Sequence, residues 1–599
     1  MVAIMVHRVA ALDMDYCNPK KCGLECINFC PVNKMGGECI VLGDYGKAVI
    51  NENLCTGCGV CIHKCPFRAI NIINLPEELK KDKVHQYGAN SFRLYRLPRL
   101  RKGAVIGLVG KNGIGKTTAL NILSGNLKPN LGRFENPPSW DEIINNFGGT
   151  ELKEHFQRIA NGELKVSIKP QAVYDIPKAW KGDAFSLLEK FDERGIANKL
   201  KIRLSLDKCL DKPVSELSGG ELQRLAVAIA VSKDAELYLF DEPSSYNDVY
   251  QRLEVARVIH ELAKENKSIL IIEHDLTLLD YLSDYIHILY GEPGAYGIVS
   301  SIQPSRTGIN ALLDGYLPSE NVRFRDKPVR FDIYAPINKD IDTPIIAEYT
   351  DIIKNYPSFE LRVKAGKLRQ GEVIGILGAN ALGKTTFMKI ISGLDKADKG
   401  EVQLKAKISY KPQYLSGDYD GNVIDILKEV AGDRLTSGLV QEQIILPLGL
   451  YRLMDRQVRS LSGGELQKLA IATCLLREAD IYALDEPSAF IDVEDRIALA
   501  KIIQRFVKSQ GKSALIVDHD IQLIDIVSDT LMIFSGTPAI NGEASPPLPK
   551  GEGMNKFLES LGITYRRDTD TGRPRVNKPG SKLDKKQKES KEFYYMKMG

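Results

Sequence analysis

The chain has 599 residues, 43% of them hydrophobic, and its 81 basic and 77 acidic side chains leave a formal charge of +4. This length exceeds what one hydrophobic core supports, so three or four domains are expected. The near-balanced charge excludes a uniformly basic nucleic-acid-binding body. No apolar run approaches the roughly 18 to 20 residues of a membrane helix. The N-terminal apolar stretch is interrupted by His7 and Arg8 and has no cleavage site, so a cytoplasmic location is expected.

Nine of the eleven cysteines lie between residues 17 and 65. Such crowding indicates metal ligands or a disulfide framework, and cytosolic thiols are normally kept reduced. One run reads C-x2-C-x2-C-x3-C-P, the ferredoxin pattern for a [4Fe-4S] cluster, and a looser run, C-x4-C-x3-C-x3-C-P, precedes it. In two-cluster ferredoxins the fourth cysteine of each run reaches the other cluster. We therefore predict two [4Fe-4S] clusters, with the ligand sets Cys17, Cys22, Cys26, Cys65 and Cys55, Cys58, Cys61, Cys30.

Two points stay open in this region, which we expect to form an α+β, ferredoxin-like domain over residues 1–75. Zinc sites built from C-x2-C pairs are the alternative to the clusters, and Cys39 is left over as a packed or surface thiol. Basic side chains make the surface suited to RNA phosphates or simply to solvent; they are Lys20, Lys21, Lys34, Lys47, Lys64 and Arg68.

A phosphate-binding loop follows the short apolar run of residues 105–109. The sequence GKNGIGKT at residues 110–117 fits G-x4-G-K-T. In this motif backbone amides cradle the phosphates, Lys116 reaches the β- and γ-phosphates, and Thr117 binds Mg²⁺. The run LYLF at residues 237–240 then leads to Asp241, predicted to hold Mg²⁺, and Glu242, predicted to orient or deprotonate the attacking water.

Three further motifs complete this first nucleotide site. Gln171 is predicted to contact the water and the metal, and His274, after the apolar residues 268–272, to sense the γ-phosphate. The sequence LSGGELQR at residues 217–224 opens a helix. Its Ser-Gly-Gly turn offers a hydroxyl and bare backbone N–H groups at the positive end of the helix dipole, where a triphosphate can bind.

The same order of motifs returns in the second half of the chain. GANALGKT at residues 378–385 has Ala381 in place of Gly113, and LSGGELQK occupies residues 461–468. Gln413, Asp485, Glu486 and His519 repeat the remaining positions. Because both glutamates are present, both sites are predicted to hydrolyse ATP.

The spacing of the two copies locates an insertion in the first. Lys116 and Gln171 are 55 residues apart, whereas Lys384 and Gln413 are 29 apart. About 26 additional residues therefore precede Gln171, and we predict a helix-loop-helix over residues 136–162. A capping box at Ser139 should begin its first helix and Thr150 should cap its second. Docking to a partner is the favoured role, with a structural cover for the core as the alternative.

The segments after each copy also repeat, with GINALL at residues 308–313 and GMNKFL at residues 553–558. We interpret them as paired hinges over residues 291–335 and 536–580. The second carries several arginines, expected to contact RNA or the opposite cassette. The basic end, residues 581–599, is expected to be flexible.

The order of phosphate loop, Gln, LSGGE, Asp-Glu-Pro and His resembles the ABC-type ATPase domain, in both halves. This resemblance implies α/β P-loop cassettes over residues 80–290 and 340–535, arranged head to tail so that LSGG of one completes the ATP site of the other. It also places adenine-stacking aromatics at Tyr87 and Tyr356. The implied ATP-binding residues are Tyr87, Gly110, Asn112, Gly113, Gly115, Lys116, Thr117, Thr118, Ser218, Gly219, Gly220 and Asp241, and in the second half Tyr356, Gly378, Asn380, Gly383, Lys384, Thr385, Thr386, Ser462, Gly463, Gly464 and Asp485.

A cysteine domain before twin cassettes closely resembles the iron-sulfur ABC ATPases of archaea and eukaryotes that recycle ribosomes, the RNase L inhibitor family. Asn247 and Ile491 depart from the expected Leu, which affects only fine packing. The resemblance implies a monomeric ATPase that splits ribosomes. Its implied partners are the small subunit with its rRNA and proteins, a release factor or rescue-factor relative, and initiation factors. The ATPase subunit of a membrane transporter and an iron-sulfur redox protein are the alternatives.

Overall fold

A computed structural model describes residues 6–14, 16–43, 46–331, 343–413 and 417–595. Contacts divide the chain into two compact units. One comprises residues 1–243, 257–274 and 282–326, and the other comprises residues 244–256, 275–281 and 327–599. Among the described residues, every helix is too short or too polar to span a bilayer.

The cysteine region of the first unit is a small α+β domain. Val6–Leu12 pairs antiparallel with Ile70–Pro76, and Ile40–Leu42 with Ala48–Ile50. Three short helices lie between these strands, at Glu25–Asn28, Pro31–Lys34 and Val60–Lys64. Four of the cysteines, Cys17, Cys30, Cys39 and Cys61, are buried in a core with Ala10, Ile50 and Ile70, whereas Cys58 is exposed. This arrangement confirms the predicted ferredoxin-like fold.

The cassette that follows is built on parallel strands buried along their length. Ser268–Ile272, Leu237–Asp241 and Val166–Lys169 form one sheet, and Ala104–Val109 runs parallel to Tyr285–Glu292. The carboxyl ends of such strands are where ligands bind in open α/β sheets. A mixed layer adds Lys83–Gln86, which pairs antiparallel with Arg93–Tyr95, and Tyr296–Val299, which runs parallel to Arg93–Tyr95 and antiparallel to Tyr285–Glu292. The helices are Lys116–Leu123, Ile176–Ala179, Ala184–Lys190, Ala197–Arg203, Gly219–Ser232, Val249–Lys264 and Leu276–Leu282.

The insertion forms the two predicted helices, Trp140–Asn146 and Glu151–Ala160. Ser139 and Glu142 make the predicted capping box. Thr150 is the N-cap residue of the second helix, but its hydroxyl makes no capping bond and donates to the Phe147 carbonyl at 2.7 Å. Phe156 is fully buried in the same core as helix Lys116–Leu123. The insertion is therefore packed onto the cassette, as the structural-cover alternative requires, and its docking role stays a prediction.

The second unit contains the other cassette. Its parallel sheet has the order Ile408–Lys411, Ile481–Asp485, Ser513–Val517, Val373–Leu377 and Thr530–Thr537. Asn541–Ala544, Phe359–Val363 and Ile352–Tyr356 extend it, and Ile345–Tyr349, Gly366–Arg369 and Val402–Leu404 form a separate small sheet. The helices are Lys384–Ile391, Val423–Ala431, Gly438–Val440, Gly463–Leu476, Val493–Ser509 and Ile521–Val527.

Each cassette is followed by the same strand-helix element. Gln303–Pro304 and helix Ser305–Asp314 follow the first, and Leu548–Pro549 and helix Lys550–Leu561 follow the second. A Cβ at Gly308 would lie 3.1 Å from Ile286 Cβ, and one at Gly553 would lie 2.7 Å from Leu531 Cβ. Both glycines therefore let the helix approach the last sheet strand closely.

The rest of the two hinges forms small hairpins. Tyr316–Leu317 pairs with Val322–Arg323, and Tyr565–Arg567 pairs with Pro574–Val576. Residues 332–342, where we placed the end of the first hinge and the start of the second cassette, lie outside the described residues.

The basic end of the chain differs from expectation. Helix Lys582–Glu589 is capped by Ser581, and Phe593 and Tyr594 are each only 8% exposed. The expected flexible tail is therefore wrong for residues 581–595, because long-range aromatic and polar contacts hold it. Residues 596–599 of that predicted tail lie outside the described part.

Candidate functional site

Both phosphate loops have the conformation that an anion cradle needs. Gly113 and Gly115 have φ of 72° and 97°, and Gly383 has 89°. Lys116 Nζ donates to the carbonyls of Gly110 and Lys111 at 2.7 and 2.8 Å. Lys384 Nζ makes the corresponding bonds at 2.8 and 2.6 Å. These contacts hold the buried ammonium groups inside the loops, where incoming phosphate oxygens can take over the bonds.

The residues predicted to hold Mg²⁺ lie together in each cassette. Thr117 Oγ1 donates to Asp241 Oδ2 at 2.9 Å, and Thr385 Oγ1 to Asp485 Oδ2 at 2.8 Å. Burial, reinforced by Glu242, raises the pKa of Asp241 to about 6, and burial also raises the pKa of Asp485. Asp485 Oδ1 is buried without a hydrogen-bond partner. A buried carboxylate with a spare oxygen, beside a hydroxyl, fits a hard divalent cation.

The catalytic candidates converge on the glutamate after each aspartate. Gln171 Nε2 donates to Glu242 Oε1 at 2.9 Å, and His274 Nε2 lies 3.3 Å from the same oxygen. In the second cassette Gln413 Nε2 donates to Glu486 at 2.6 Å, and His519 lies 3.3 Å away. Although burial of Glu486 opposes its ionisation, the hydrogen bond and charge of His519 lower its pKa overall. Each glutamate thus has the position that a water-activating base requires, and the lowered pKa of Glu486 favours its ionised form.

Sequence reasoning missed the groups that fix these glutamates. Glu242 and Glu486 have φ of 47° and 48°, a strained left-handed conformation. Lys169 Nζ donates to the carbonyls of Asp241 and Glu242 at 2.7 and 3.1 Å, and Lys411 Nζ binds the equivalent carbonyls at 2.8 and 3.4 Å. Burial lowers the pKa of both lysines to about 8. The motif K-P-Q, present in both copies, was the available signal.

A second supporting group comes from the LSGGELQ motif itself. Gln467 Nε2 donates to the Glu486 carbonyl at 2.6 Å, and Gln223 makes the same contact with Glu242. The motif therefore connects the helix that begins at the Ser-Gly-Gly turn to the catalytic strand of its own cassette.

The Ser-Gly-Gly turns begin helices Gly219–Ser232 and Gly463–Leu476. Ser218 and Ser462 each form a capping box with the Glu three residues later. The first-turn N–H groups of such a helix favour an anion. Which cassette's nucleotide each turn serves stays a prediction.

The aromatic candidates flank the phosphate-loop helices. Tyr87 is 54% exposed, and its hydroxyl lies 3.1 Å from Thr118 Oγ1. Tyr356 is 42% exposed and donates to Asp395 at 2.9 Å. An exposed aromatic ring can stack on a base, although Lys354 Nζ lies 5.5 Å from the centroid of the Tyr356 ring.

One contact within the second unit was not foreseen. Asp248 Oδ2 accepts a hydrogen bond of 2.7 Å from the backbone N–H of Asn380 in the second phosphate loop. Burial lowers the pKa of Lys384 to about 8, and Asp248 partly offsets that effect. A carboxylate in this position demonstrates that the loop amides accept an anion.

The two predicted cysteine ligand sets remain predictions, and the positions of the thiols are compatible with them. Cys17, Cys22, Cys26 and Cys65 line one cavity, and burial, with the other three thiols nearby, raises the pKa of Cys26 to about 11. Burial beside Cys55 and Cys58 raises the pKa of Cys61 to about 12. Convergent thiols at ferredoxin spacing fit cubane clusters. Among the described residues no group of three or more potential ligands is placed for a single metal ion.

Cys39 is a packed thiol, the first of the two alternatives that the sequence left open. It is 1% exposed, and burial together with Cys30 and Cys55 raises its pKa to about 12. Cys30 and Cys55, which come from different cysteine runs, therefore both lie near Cys39, and the crossed ligand assignment stays a prediction.

Fold and sites together define a twin-cassette ABC-type ATPase with an N-terminal ferredoxin-like domain. Comparison with known families agrees. Residues 98–245 and 362–489 match the ABC transporter model, residues 7–38 a possible Fer4-like domain in RNase L inhibitor, and residues 48–71 a 4Fe-4S binding domain.

Full-length relatives identify the family. An ABC transporter ATP-binding protein of Methanocaldococcus jannaschii is 49% identical, with 98% of both chains covered. Translation initiation factor RLI1 of Saccharomyces cerevisiae is 43% identical, again with 98% of both chains covered. A structure described as a model of ribosome-bound archaeal Pelota and ABCE1 is 50% identical with a TM-score of 0.93, covering 99% of this chain and 100% of that one. The chain belongs to the RNase L inhibitor family of ABC ATPases, ABC subfamily E.

Proposed function

We propose that this protein splits ribosomes into subunits, using ATP binding to close its cassettes and hydrolysis to reopen them. The observation that carries the proposal is full-length similarity to a ribosome-bound ABCE1, combined with two catalytic centres that each retain every predicted side chain. RLI1 of yeast is described as a translation initiation factor, which supports a continuing role on the small subunit.

The chemistry at each site follows from the residues already placed. The phosphate-loop amides and Lys116 or Lys384 bind the β- and γ-phosphates. Mg²⁺, held by Thr117 and Asp241 with Gln171, or by Thr385 and Asp485 with Gln413, would neutralise charge that develops on the phosphates. Glu242 or Glu486 takes the proton of the attacking water, and the adjacent histidine contacts the γ-phosphate.

Closure follows from differential binding. A ligand shifts a conformational equilibrium only through contacts made better in one state, and moving a population from 1:99 to 99:1 takes about 5.5 kcal/mol. Ser218 and Ser462, with the two glycines after each, would supply those contacts to the γ-phosphate of the nucleotide held by the other cassette. Two bound triphosphates would provide this energy together.

The cluster domain is fastened to the first cassette. Asn90 Nδ2 donates to the carbonyls of Ala10 and Ile50 at 3.1 and 3.0 Å, and its Oδ1 accepts from Ile50 N at 2.7 Å. Arg93, which is 2% exposed, pairs with Glu52. These buried bonds would make the domain follow the cassette, so cassette motion becomes a push on a bound ribosome. On this proposal the clusters, held by the eight cysteines, are structural.

The proposed partners follow from the relatives. They are the small ribosomal subunit with its rRNA and proteins, a Pelota-like rescue factor or release factor, and initiation factors. The protein would act in the cytoplasm as a monomer.

The deciding experiment is sedimentation with purified small subunits and with whole ribosomes. A non-hydrolysable ATP analogue should increase binding to small subunits, and the double variant Glu242→Gln, Glu486→Gln should stay bound in ATP. Splitting of whole ribosomes, measured by the loss of the fast-sedimenting peak, should require ATP and a Pelota-like factor. Nucleotide-independent sedimentation, or release of the double variant at the wild-type rate, would contradict the proposal.

A further inference from the structure

One helix of each cassette occupies the same place in the sequence repeat. Residues 276–281 of the first cassette's helix and the whole helix of the second cassette belong to the second unit. Helix Leu276–Leu282 begins two residues after His274, and helix Ile521–Val527 begins two residues after His519. We call them the switch helices. Asp275 Oδ1 accepts from the first-turn N–H groups of the first at 2.8 and 3.1 Å, and Asp520 Oδ1 does so for the second at 2.9 and 3.0 Å. Each of these aspartates directly follows the histidine in sequence. A shift of a switch helix would therefore also move its histidine.

Each switch helix also carries one buried aspartate at the same position. Asp280 and Asp525 are 245 residues apart (525 − 280) and are 3% and 4% exposed. Neither carboxylate serves the nucleotide sites described above. A buried carboxylate is tolerated only when it is paired, so its partner determines where the helix lies.

The partner of Asp280 is a pair of arginines from the second hinge. Arg575 binds both carboxylate oxygens, through Nε and Nη2, each at 2.9 Å. Arg573, which is fully buried, donates from Nη1 to Oδ2 at 3.1 Å. Asp568 lies 3.5 Å from Arg575 Nη1 and completes a four-residue charge cluster. Although burial opposes the ionisation of Asp280, the two arginines lower its pKa.

The partner of Asp525 comes from the same hairpin but is chemically different. Arg567 Nη2 lies 2.8 Å from one carboxylate oxygen and 3.1 Å from the other. The Tyr594 hydroxyl donates to Asp525 Oδ1 and accepts from Arg567 Nη2 at 2.7 Å. Tyr594 belongs to the C-terminal segment, which is where the expected flexible tail proved to be ordered.

One hairpin of the second hinge thus contacts both switch helices. Strands Tyr565–Arg567 and Pro574–Val576 pair antiparallel, with Arg566 opposite Arg575 and Arg567 opposite Pro574. The Pro574 carbonyl also accepts from Gln522 Nε2 of the second switch helix at 3.4 Å. The hairpin therefore contacts one switch helix from each cassette through arginines on its own two strands and connecting loop.

We propose that this hairpin is a positioning clasp that sets His274 and His519 for hydrolysis, and that the C-terminal segment, through Tyr594, regulates the second site only. The inference rests on the proposed role of the two histidines. Arginines 573 and 575 position the first switch helix, whereas Arg567 and Tyr594 position the second. Small displacements of a catalytic group lower turnover strongly without weakening substrate binding.

The test uses variants of the protein in which only one of the two ATP sites can hydrolyse ATP. Glu242→Gln leaves the second site active, and Glu486→Gln leaves the first. Tyr594→Phe should lower kcat about tenfold in the Glu242→Gln protein, keep KM for ATP within about twofold, and leave the Glu486→Gln protein unchanged. Arg575→Gln should instead lower kcat in the Glu486→Gln protein and leave the Glu242→Gln protein unchanged. Lys585→Gln, an exposed charge in the tail helix, is the matched control, and Arg567→Lys should retain more second-site turnover than Arg567→Gln.

Hydrogen exchange of the full-length protein provides a readout that does not depend on the catalytic assignment. Tyr594→Phe should speed exchange in residues 521–527 and not in residues 276–281. Equal kcat losses at both sites, or unchanged exchange in residues 521–527, would overturn the clasp. If the double glutamate variant keeps wild-type turnover, the proposed catalytic site fails instead, and the exchange pattern still decides for or against the clasp.

Discussion

The two nucleotide sites have nearly the same catalytic geometry and different surroundings. The histidine lies 3.3 Å from the glutamate in both, and the threonine-to-aspartate bonds differ by only 0.1 Å, at 2.9 and 2.8 Å. The surroundings differ at the fourth loop position, which is Gly113 in the first cassette and Ala381 in the second, and in the insertion, which only the first cassette carries. Chemistry thus fixes the interior of each site, whereas the contacts that regulate it are free to diverge.

The largest expected effect tests the shared part of this comparison. Glu242→Gln and Glu486→Gln should each lower turnover at their own site by roughly 10² to 10⁴, because each removes a positioned general base. If the two sites contribute equally, each single variant keeps about half of the steady-state ATPase rate and the double variant keeps almost none. Phosphate release measured at saturating ATP checks this.

Glu216→Gln, an exposed glutamate in the first cassette, is the control and should be silent. A single variant that abolishes all turnover would show that the sites are coupled rather than merely similar.

The next effect concerns the insertion. Phe156 is fully buried, and its ring centroid lies 4.9 Å from that of Phe147. Phe156→Ala should therefore destabilise the first unit by about 3 to 5 kcal/mol, the usual cost of removing a buried phenyl ring. Thermal or denaturant unfolding measures the change. Ile202→Ala, at a side chain that is 74% exposed, should cost less than about 0.5 kcal/mol; a loss below about 1 kcal/mol for Phe156→Ala would mean that the insertion is a separate projection.

The order of the motifs predicted that the candidate catalytic side chains would lie close together. The reason is that these motifs follow the carboxyl ends of neighbouring parallel strands. Gln171 and Glu242 are 71 residues apart in sequence and 2.9 Å apart in space. Periodicity likewise predicted both helices of the insertion. The fold class is confirmed from the ferredoxin-like domain through both cassettes.

The rest depends on contacts that local patterns do not encode. Lys169 reads as part of a buried strand, and only its reach to two carbonyls reveals its role. Tyr594 stands beside a lysine-rich segment typical of disorder, yet it contacts Asp525, 69 residues away. Thr150 has the right residue type for a cap but a competing carbonyl within reach.

A smaller effect is the dependence of stability on pH that the buried aspartate of each predicted metal site causes. Burial raises the pKa of Asp241 from 3.8 to about 6. The unfolded chain therefore releases this proton first, and stability falls as the pH rises from about 4 to about 6, by up to about 3 kcal/mol without metal. Asp241→Asn should accordingly stabilise the nucleotide-free, Mg²⁺-free protein at pH 7.5 and have no such effect at pH 4.

Thermal unfolding at the two pH values measures this difference. Asp485→Asn should act in the same direction. Mg²⁺ with ATP should stabilise the wild type at the first site and not the Asp241→Asn variant. A variant that is less stable than the wild type at pH 7.5 without Mg²⁺ would contradict the assignment of a buried, cation-accepting carboxylate.

The smallest expected effect exchanges Gly113 and Ala381, one of the three positions at which the two phosphate loops differ. Ala381 has φ of 57° and Gly113 has 72°, and the nearest atoms to a Cβ at Gly113 are 3.7 Å away. Space is therefore available at both positions, and only backbone strain separates them, at about 1 kcal/mol for a residue with a Cβ. Gly113→Ala should destabilise the protein by about that amount, whereas Ala381→Gly should stabilise it by at most about 1 kcal/mol, since glycine loses more entropy on folding.

Ala379→Gly, two residues earlier and without a positive φ, is the control and should lower the stability of the protein. ATP affinity should change little in the swapped loops, because the amides that bind phosphate keep their places; a large loss of affinity in Gly113→Ala alone would mean that the two loops do not bind nucleotide in the same way.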